Sequence, residues 1–205
     1  MRNARGRPEP ETETTVRSED WDGRDLRGEV HDRVEFVDVD MTEILTQGAL
    51  FSGCVFRGVR FNASAHTSTA FTNCAFTRCG FFDATFTGCK LVGSVFDACT
   101  YGLLTVEGGD WSFTVLAGAD LSGSTLTGVR MREADLTGAR LGEATLRDVD
   151  LSGASLHRAD LTGCDLRGSD LSSLDPLAAE LKDAVIDPAQ AIMIATALGL
   201  DVRPG

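Results

Sequence analysis

Stepping through the chain five residues at a time from Trp21 to Ile186 lands on an apolar side chain at 30 of 34 stops. Only His31, Thr46, His66 and Pro176 interrupt the series, and the count never slips. A helix repeats every 3.6 residues or so and a strand every 2, so a period of five fits neither and requires a repeat architecture. Two residues before each large apolar stop lies a small one, such as Ala49, Cys54, Ala84, Ala134 or Cys164. Two residues after it glycine dominates: 15 of the 22 glycines are there. Ala119–Gly123 (ADLSG) and Ala134–Gly138 (ADLTG) show the unit most cleanly.

A small and a large residue separated by one position both point inward from a short strand. The glycine then supplies a turn with backbone angles that most residues avoid. If each unit turns the chain by about a right angle, four of them close a square coil of about 20 residues, and successive coils pair at about 4.8 Å. On that spacing residues 19–186 make about eight coils, a rod about 40 Å long with one continuous thin core. The expected fold class is all-β: a right-handed quadrilateral β-helix ending in a short α-helix.

Residues 1–18 are polar and mixed in charge and lack the apolar stretch of a secretion signal, so they are expected to be a disordered arm. No run of about 18 apolar residues could span a membrane, and the cytoplasm is the expected location. The six cysteines, Cys54, Cys74, Cys79, Cys89, Cys99 and Cys164, all take the small inward slot. There they act as core fillers, and a reducing compartment keeps them as thiols. Cys54 and Cys74, like Cys79 and Cys99, are one coil apart, within the Cα window of a disulfide. The chain has no metal-binding spacing, no nucleophile motif and no phosphate loop, so no catalytic residue, metal or cofactor is expected. His31 and His66 fall in the large slot or a distorted corner and His157 on an outer one, and none has an evident catalytic partner.

The net charge of −12 is unevenly spread. Residues 19–45 carry ten acids against three bases and residues 101–175 twelve against six, whereas residues 46–100 carry two against four. Such a surface repels nucleic acid and favours a basic protein partner. A 20-residue coil aligns Asp110, Asp150 and Asp170 in one column broken by Arg130, and Asp120 and Asp160 in another broken by Arg140. Asp135 and Asp165 fall on two further sides. Acids about 5 or 10 Å apart along a rigid rod approximate a row of phosphates. An aspartate preceding the large residue can equally serve its own turn backbone. Substituting an outer aspartate is expected to leave folding intact.

After Asp187 the pattern changes. Asp187 suits an N-cap, Pro188 the first helical position and Gly199 the position past the end, so residues 187–205 read as a helix and tail. Ala189, Ile192 and Met193 would face one way, and Ala191, Ile194, Ala195 and Leu198 another. A helix apolar on two sides needs two partners. One side is expected to cap the last coil. The other, with Ile192, Met193, Ile194, Ala195 and Leu198 taken together as the contact set, is expected to join two chains as a homodimer.

The repeat resembles the pentapeptide-repeat family over about four-fifths of the chain. Within that family, FSGCVFRGVRF (51–61), GCKLVGSVFDAC (88–99), the ADLSG units and the terminal DPAQAIMIATALGL are most similar to the gyrase-interacting, fluoroquinolone-resistance group. That resemblance implies a dimeric, non-enzymatic DNA mimic that binds DNA gyrase. The alternative is a repeat scaffold for a different protein. The register leaves no room for a long projecting loop.

Overall fold

In the computed structural model, which describes residues 9–203, the chain is a four-sided parallel coil in which each residue pairs with the one twenty positions away. On the first face, isolated bridges run Asp20, Asp40, Arg60, Gly80, Thr100. The second face holds a six-stranded sheet from Leu45–Gln47 to Thr145–Arg147. The third holds three strands, Val30–Asp32, Leu50–Ser52 and Ala70–Thr72. The fourth holds five, beginning with Thr14–Arg17 and ending with Val95–Asp97. Amides bond upward and downward alike: Trp21 N–H donates to Asp40 O (2.8 Å), and Asp40 N–H donates to Glu19 O (3.0 Å).

The five-residue slots fill the interior. A rung spacing near 4.8 Å makes equivalent rings stack face to face, so the early core is aromatic columns. Phe36, Phe56, Phe76 and Phe96 stack at 5.0, 4.7 and 4.7 Å between centroids. Neighbouring faces meet edge to face, as Phe51 and Phe56 do at 5.8 Å and 61°. Trp111 lies parallel to Phe96 at 6.1 Å and closes the aromatic half. Beyond it the large slots hold buried leucines and Met131. Fully burying each such side chain stabilises the fold by about 1.5–3 kcal/mol relative to leaving it exposed.

The corners depart from the glycine rule. Among the described residues seventeen other than glycine hold φ between 49° and 61°, including Leu103 and Phe113. The left-handed region costs an L-residue about 1–2 kcal/mol, and the rung hydrogen bonds on either side impose it. Glycine is obligatory at Gly109, with φ of 90°, where an added Cβ would sit 2.2 Å from the Cys89 carbonyl oxygen.

The expected disordered arm over 1–18 is corrected from residue 9 onward. Thr14–Arg17 pairs in parallel with Val34–Val37, and Val16 packs against the core. The Glu9 carboxylate accepts from Arg57 Nη2 (2.7 Å) and Nη1 (3.3 Å), pinning the preceding segment two rungs along. Val16 is one five-residue step before Trp21, so the period already extends there. Residues 1–8 lie outside the described residues.

Two of the interruptions to the apolar series complete each other. Thr46 and His66 are stacked on successive rungs of the second face, both buried. The Ser64 hydroxyl donates to Phe61 O (2.7 Å), which leaves its oxygen to accept from His66 Nε2–H (2.9 Å). Nδ1 of the ring then accepts from the Thr46 hydroxyl (2.8 Å), whose oxygen can accept from Thr69 (2.8 Å). The ring is neutral, and burial lowers its pKa from 6.5 to about 3. His31 also fills a large slot, stacked on Phe51 at 4.9 Å. Contrary to expectation it has a carboxylate partner, with Glu29 Oε2 3.0 Å from Nε2.

The tail helix spans Pro188–Ala197. Asp187 accepts from the Ala189 and Gln190 amides (2.8 and 3.0 Å), and Gln190 Oε1 accepts in return from the Asp187 amide (2.9 Å). Gly199, at φ 83°, ends it, with Leu200 N–H reaching Ala195 O (3.0 Å) and Gly199 N–H reaching Thr196 O (2.9 Å). The buried Gln190 amide donates to Leu166 O (2.7 Å) and Ser169 O (2.8 Å), satisfying carbonyls of the last coils. The faces divide differently from expectation: Met193 and Ile194 together pack on the rod, whereas Ile192 and Leu198 are exposed.

The folded state keeps His66 neutral while the unfolded chain protonates near pH 6.5, so its contribution is complete above that pH and is lost as pH falls toward 3. Between pH 7 and 5 the protein should lose about 2 kcal/mol more than His66→Phe, at about 1.4 kcal/mol per pH unit. Urea midpoints at both pH values test this, and parallel pH dependence would refute it.

Candidate partner-binding surface

The twenty-residue coil distributes the candidate acids over four columns. Bridges link Asp110 to Arg130, Arg130 to Asp150 and Asp150 to Asp170 on the third face. On the first face, opposite in the four-sided coil, they link Asp120 to Arg140, Arg140 to Asp160 and Asp160 to Glu180. Asp135 bridges Val115 and Ser155 on the fourth face, and Asp165 bridges Thr145 and Val185 on the second.

Each of these aspartates performs the same local task. Oδ1 accepts from the amide two residues on: Ser112 to Asp110 (3.1 Å), Ser122 to Asp120 (3.2 Å), Thr137 to Asp135 (3.0 Å) and Ser152 to Asp150 (3.2 Å). Thr162 donates likewise to Asp160 (3.0 Å), Arg167 to Asp165 (3.3 Å) and Ser172 to Asp170 (2.9 Å). Asp20, Asp25, Asp40 and Asp175 repeat the bond elsewhere. Every unit with aspartate in this slot forms a turn, whereas units with threonine, valine or alanine there, such as Thr85, Val55 and Ala75, mostly form strands. The carboxylate offers the backbone a turn partner, while a β-branched side chain favours the extended form. These aspartates therefore contribute to folding, which corrects the expectation that they do not.

The second carboxylate oxygen of Asp110, Asp120, Asp150 and Asp165 meets an arginine. Arg130 Nη1 lies 3.0 Å from Asp110 Oδ2 and Arg140 Nη2 2.8 Å from Asp120 Oδ2. Arg132 bonds Asp150, and Arg147 and Arg167 both reach Asp165 Oδ2, at 2.8 and 2.7 Å. The Arg167 hydrogen bond leads in lowering the Asp165 pKa to about 2. Hydrogen bonds from Thr162 lower that of Asp160. The five-residue reading did not anticipate the acids at left-handed corners: Asp38, Glu43, Asp83, Glu133, Glu143, Asp148 and Asp183. They project from the rod at the glycine slot, where the search for small and large inward residues did not look.

Among the described residues no group of His, Cys, Asp or Glu is arranged to hold a metal ion, and no helix is long and apolar enough to cross a membrane. At the tail end Ile192, Leu198, Leu200 and Val202 are exposed together with Leu177 and Val185, while Met193, Ile194 and Ala195 are partly buried.

The family model "Pentapeptide repeats (8 copies)" matches residues 110–142 and 134–172, the stretch that carries the candidate aspartates. Residues 110–172 therefore match the pentapeptide-repeat model. No curated protein matches it in sequence. Among solved structures, full-length QnrB1, a plasmid-mediated fluoroquinolone resistance protein, aligns with a TM-score of 0.49 at 21% identity, over 92% of this chain and 99% of that one. HetL, a pentapeptide repeat protein involved in heterocyst differentiation regulation in the cyanobacterium Nostoc, aligns with a TM-score of 0.41 at 19% identity, over 86% and 87%. Neither superposition carries an argument about the partner of this protein.

Asparagine retains the oxygen that the turn amide needs, and alanine does not. At Asp170, which has no ion pair among the described residues, Asp170→Ala should cost about 1 kcal/mol and Asp170→Asn less than about half of that. Thermal unfolding of the two variants separates the roles, and equal losses would rule out the turn bond as the cause.

Proposed function

We propose that the protein is a non-enzymatic rod that imitates the charge of duplex DNA, binds DNA gyrase, modulates supercoiling and protects the enzyme from fluoroquinolones. The observation that carries this reading is the fixed orientation of the seven aspartates. With Oδ1 held by a turn amide, each side chain gives up its rotamer freedom on folding rather than on binding. Five of them, Asp110, Asp150 and Asp170 on one face and Asp120 and Asp160 on the opposite one, thus form registered rows, about 4.8 Å apart where successive rungs both carry an acid, as at Asp150 and Asp170. A preorganised anionic surface reduces the ordering cost of association with a basic groove. The sequence similarity of residues 51–61, 88–99 and the tail to the gyrase-interacting group supplies the partner, with the mycobacterial fluoroquinolone-resistance protein MfpA as the specific likeness.

The arginines on Asp110, Asp120, Asp150 and Asp165 favour a second reading, a repeat scaffold for a different protein, because they reduce the net charge of the rows. Supercoiling assays with gyrase from the same organism, with and without a fluoroquinolone, decide between the two. The wild type should inhibit supercoiling or remove drug-stabilised cleaved DNA. The fourfold variant Asp150→Asn, Asp160→Asn, Asp165→Asn, Asp170→Asn keeps every turn acceptor. It should need roughly tenfold more protein, about 1.4 kcal/mol, with the gap narrowing as salt rises. Equal potency would end the mimicry reading, and an inert wild type would favour the scaffold.

The same proposal includes a homodimer joined at the tail through Ile192 and Leu198 with Met193, Ile194 and Ala195, since Ile192, Leu198, Leu200 and Val202 of the tail are all exposed. Light scattering at micromolar concentration should give twice the 21.8 kDa chain mass and return to one chain mass for Ile192→Glu/Leu198→Glu. A monomeric wild type would refute it.

A further inference from the structure

Of the six cysteines, Cys99 alone is partly exposed, and it sits directly above another thiol. Cys79 and Cys99 occupy the same small slot on successive rungs, tied by the Thr100 amide donating to Cys79 O (3.0 Å). Their side chains are parallel. Cys79 Sγ donates to Phe56 O and Cys99 Sγ to Phe76 O, each at 3.5 Å and each 23 residues back. At a rung spacing of about 4.8 Å the Cα atoms fall within the 4.4–6.8 Å or so that a disulfide spans. With equivalent carbonyl partners one rung apart, the two sulfurs lie side by side in one column.

The column above them continues with Ala119, and the small side chain leaves a cleft of about 40 Å³ bordered by Ala98, Cys99, Tyr101, Ala117 and Ala119. That volume admits a molecule the size of water or hydrogen peroxide. Cys54 and Cys74 form a second stacked pair, but both are fully enclosed, at 0% and 1% exposure. We propose that Cys79 and Cys99 form a dithiol that small hydroperoxides oxidise, with Cys99 as the reacting sulfur and Cys79 as the resolving one.

The Cys99 thiolate attacks the peroxide O–O bond, forming an S–O bond and releasing hydroxide, which takes up a proton to leave as water. The Cys79 sulfur then attacks Cys99, forming the S–S bond and expelling the hydroxyl as water with the Cys79 proton. The dithiol loses two electrons and the peroxide gains them. Contact with Cys79 holds the Cys99 thiol below its ordinary pKa, and burial pushes Cys79 well above its own, which matches this division of roles.

Hydrogen peroxide is added to the folded full-length protein, which is then denatured in an alkylating reagent for intact mass and non-reducing peptide mapping. The wild type should lose two hydrogens, keep four of its six thiols and yield a Cys79–Cys99 crosslinked peptide while its circular dichroism is unchanged. Cys79→Ala, which places in the slot the residue found at Ala119, should stop with oxygen added at Cys99. Cys99→Ala should keep all five remaining thiols. The proposal is overturned by six alkylated thiols after treatment, by a Cys54–Cys74 crosslink formed as readily, by a crosslink seen only after the fold is lost, or by an unoxidised Cys99 in Cys79→Ala.

Discussion

Every feature of this rod depends on the hydrogen bonds that join each rung to those twenty residues away. They fix the register, and the register places like side chains on top of one another. A single inserted residue would move the large slot to solvent on every later side, because inward and outward positions alternate along each strand. The same bonds impose left-handed corners on residues as unsuited to them as Leu103 and Phe113. They also force the phenylalanines into parallel stacks, a geometry set by backbone spacing as much as by the rings.

Stacking converts sequence separation into adjacency, and this explains both the defects and the surface. Thr46 and His66 would each be costly alone in an apolar slot. Placed one rung apart, with Ser64 and Thr69 beside them, each completes the hydrogen bonding of the other. On the outside, an aspartate that serves its own turn gains a fixed neighbour on the next rung. In the Asp110, Arg130, Asp150, Asp170 column this alternates pairing with repetition of charge. A carboxylate needed for folding thus also becomes one element of an anionic row.

The coil was legible because a five-residue period leaves no other way to keep so many apolar side chains inside. The limits of the coil were less so. Val16 satisfies the count, but the polar and proline-containing residues around it masked the strand that begins at Thr14. The columns of acids followed from the 20-residue closure, whereas their arginine partners depended on side-chain reach. Arg132 bonds Asp150, 18 residues on, rather than an acid in its own column. The helix caps were readable from Asp187, Pro188 and Gly199. The division of the helix between core and solvent was not, because apolar residues lie on several of its sides. The role of Gln190 was equally hidden, since a glutamine after a proline gives no sign that two carbonyls of a distant coil await it.

Gln190 has a consequence for how such a rod can change length through evolution. Its amide closes the last coils with contacts that depend only on the local shape of a rung, and every rung has nearly that shape. Duplication of a 20-residue block anywhere between Val16 and Leu166 would lengthen the rod by one step and leave both ends as they are. A block that is not a multiple of five residues would set the inward and outward slots out of phase in the coil where it is inserted. Rod length is therefore a quantised trait, free to vary in the interior and guarded at the end by one side chain.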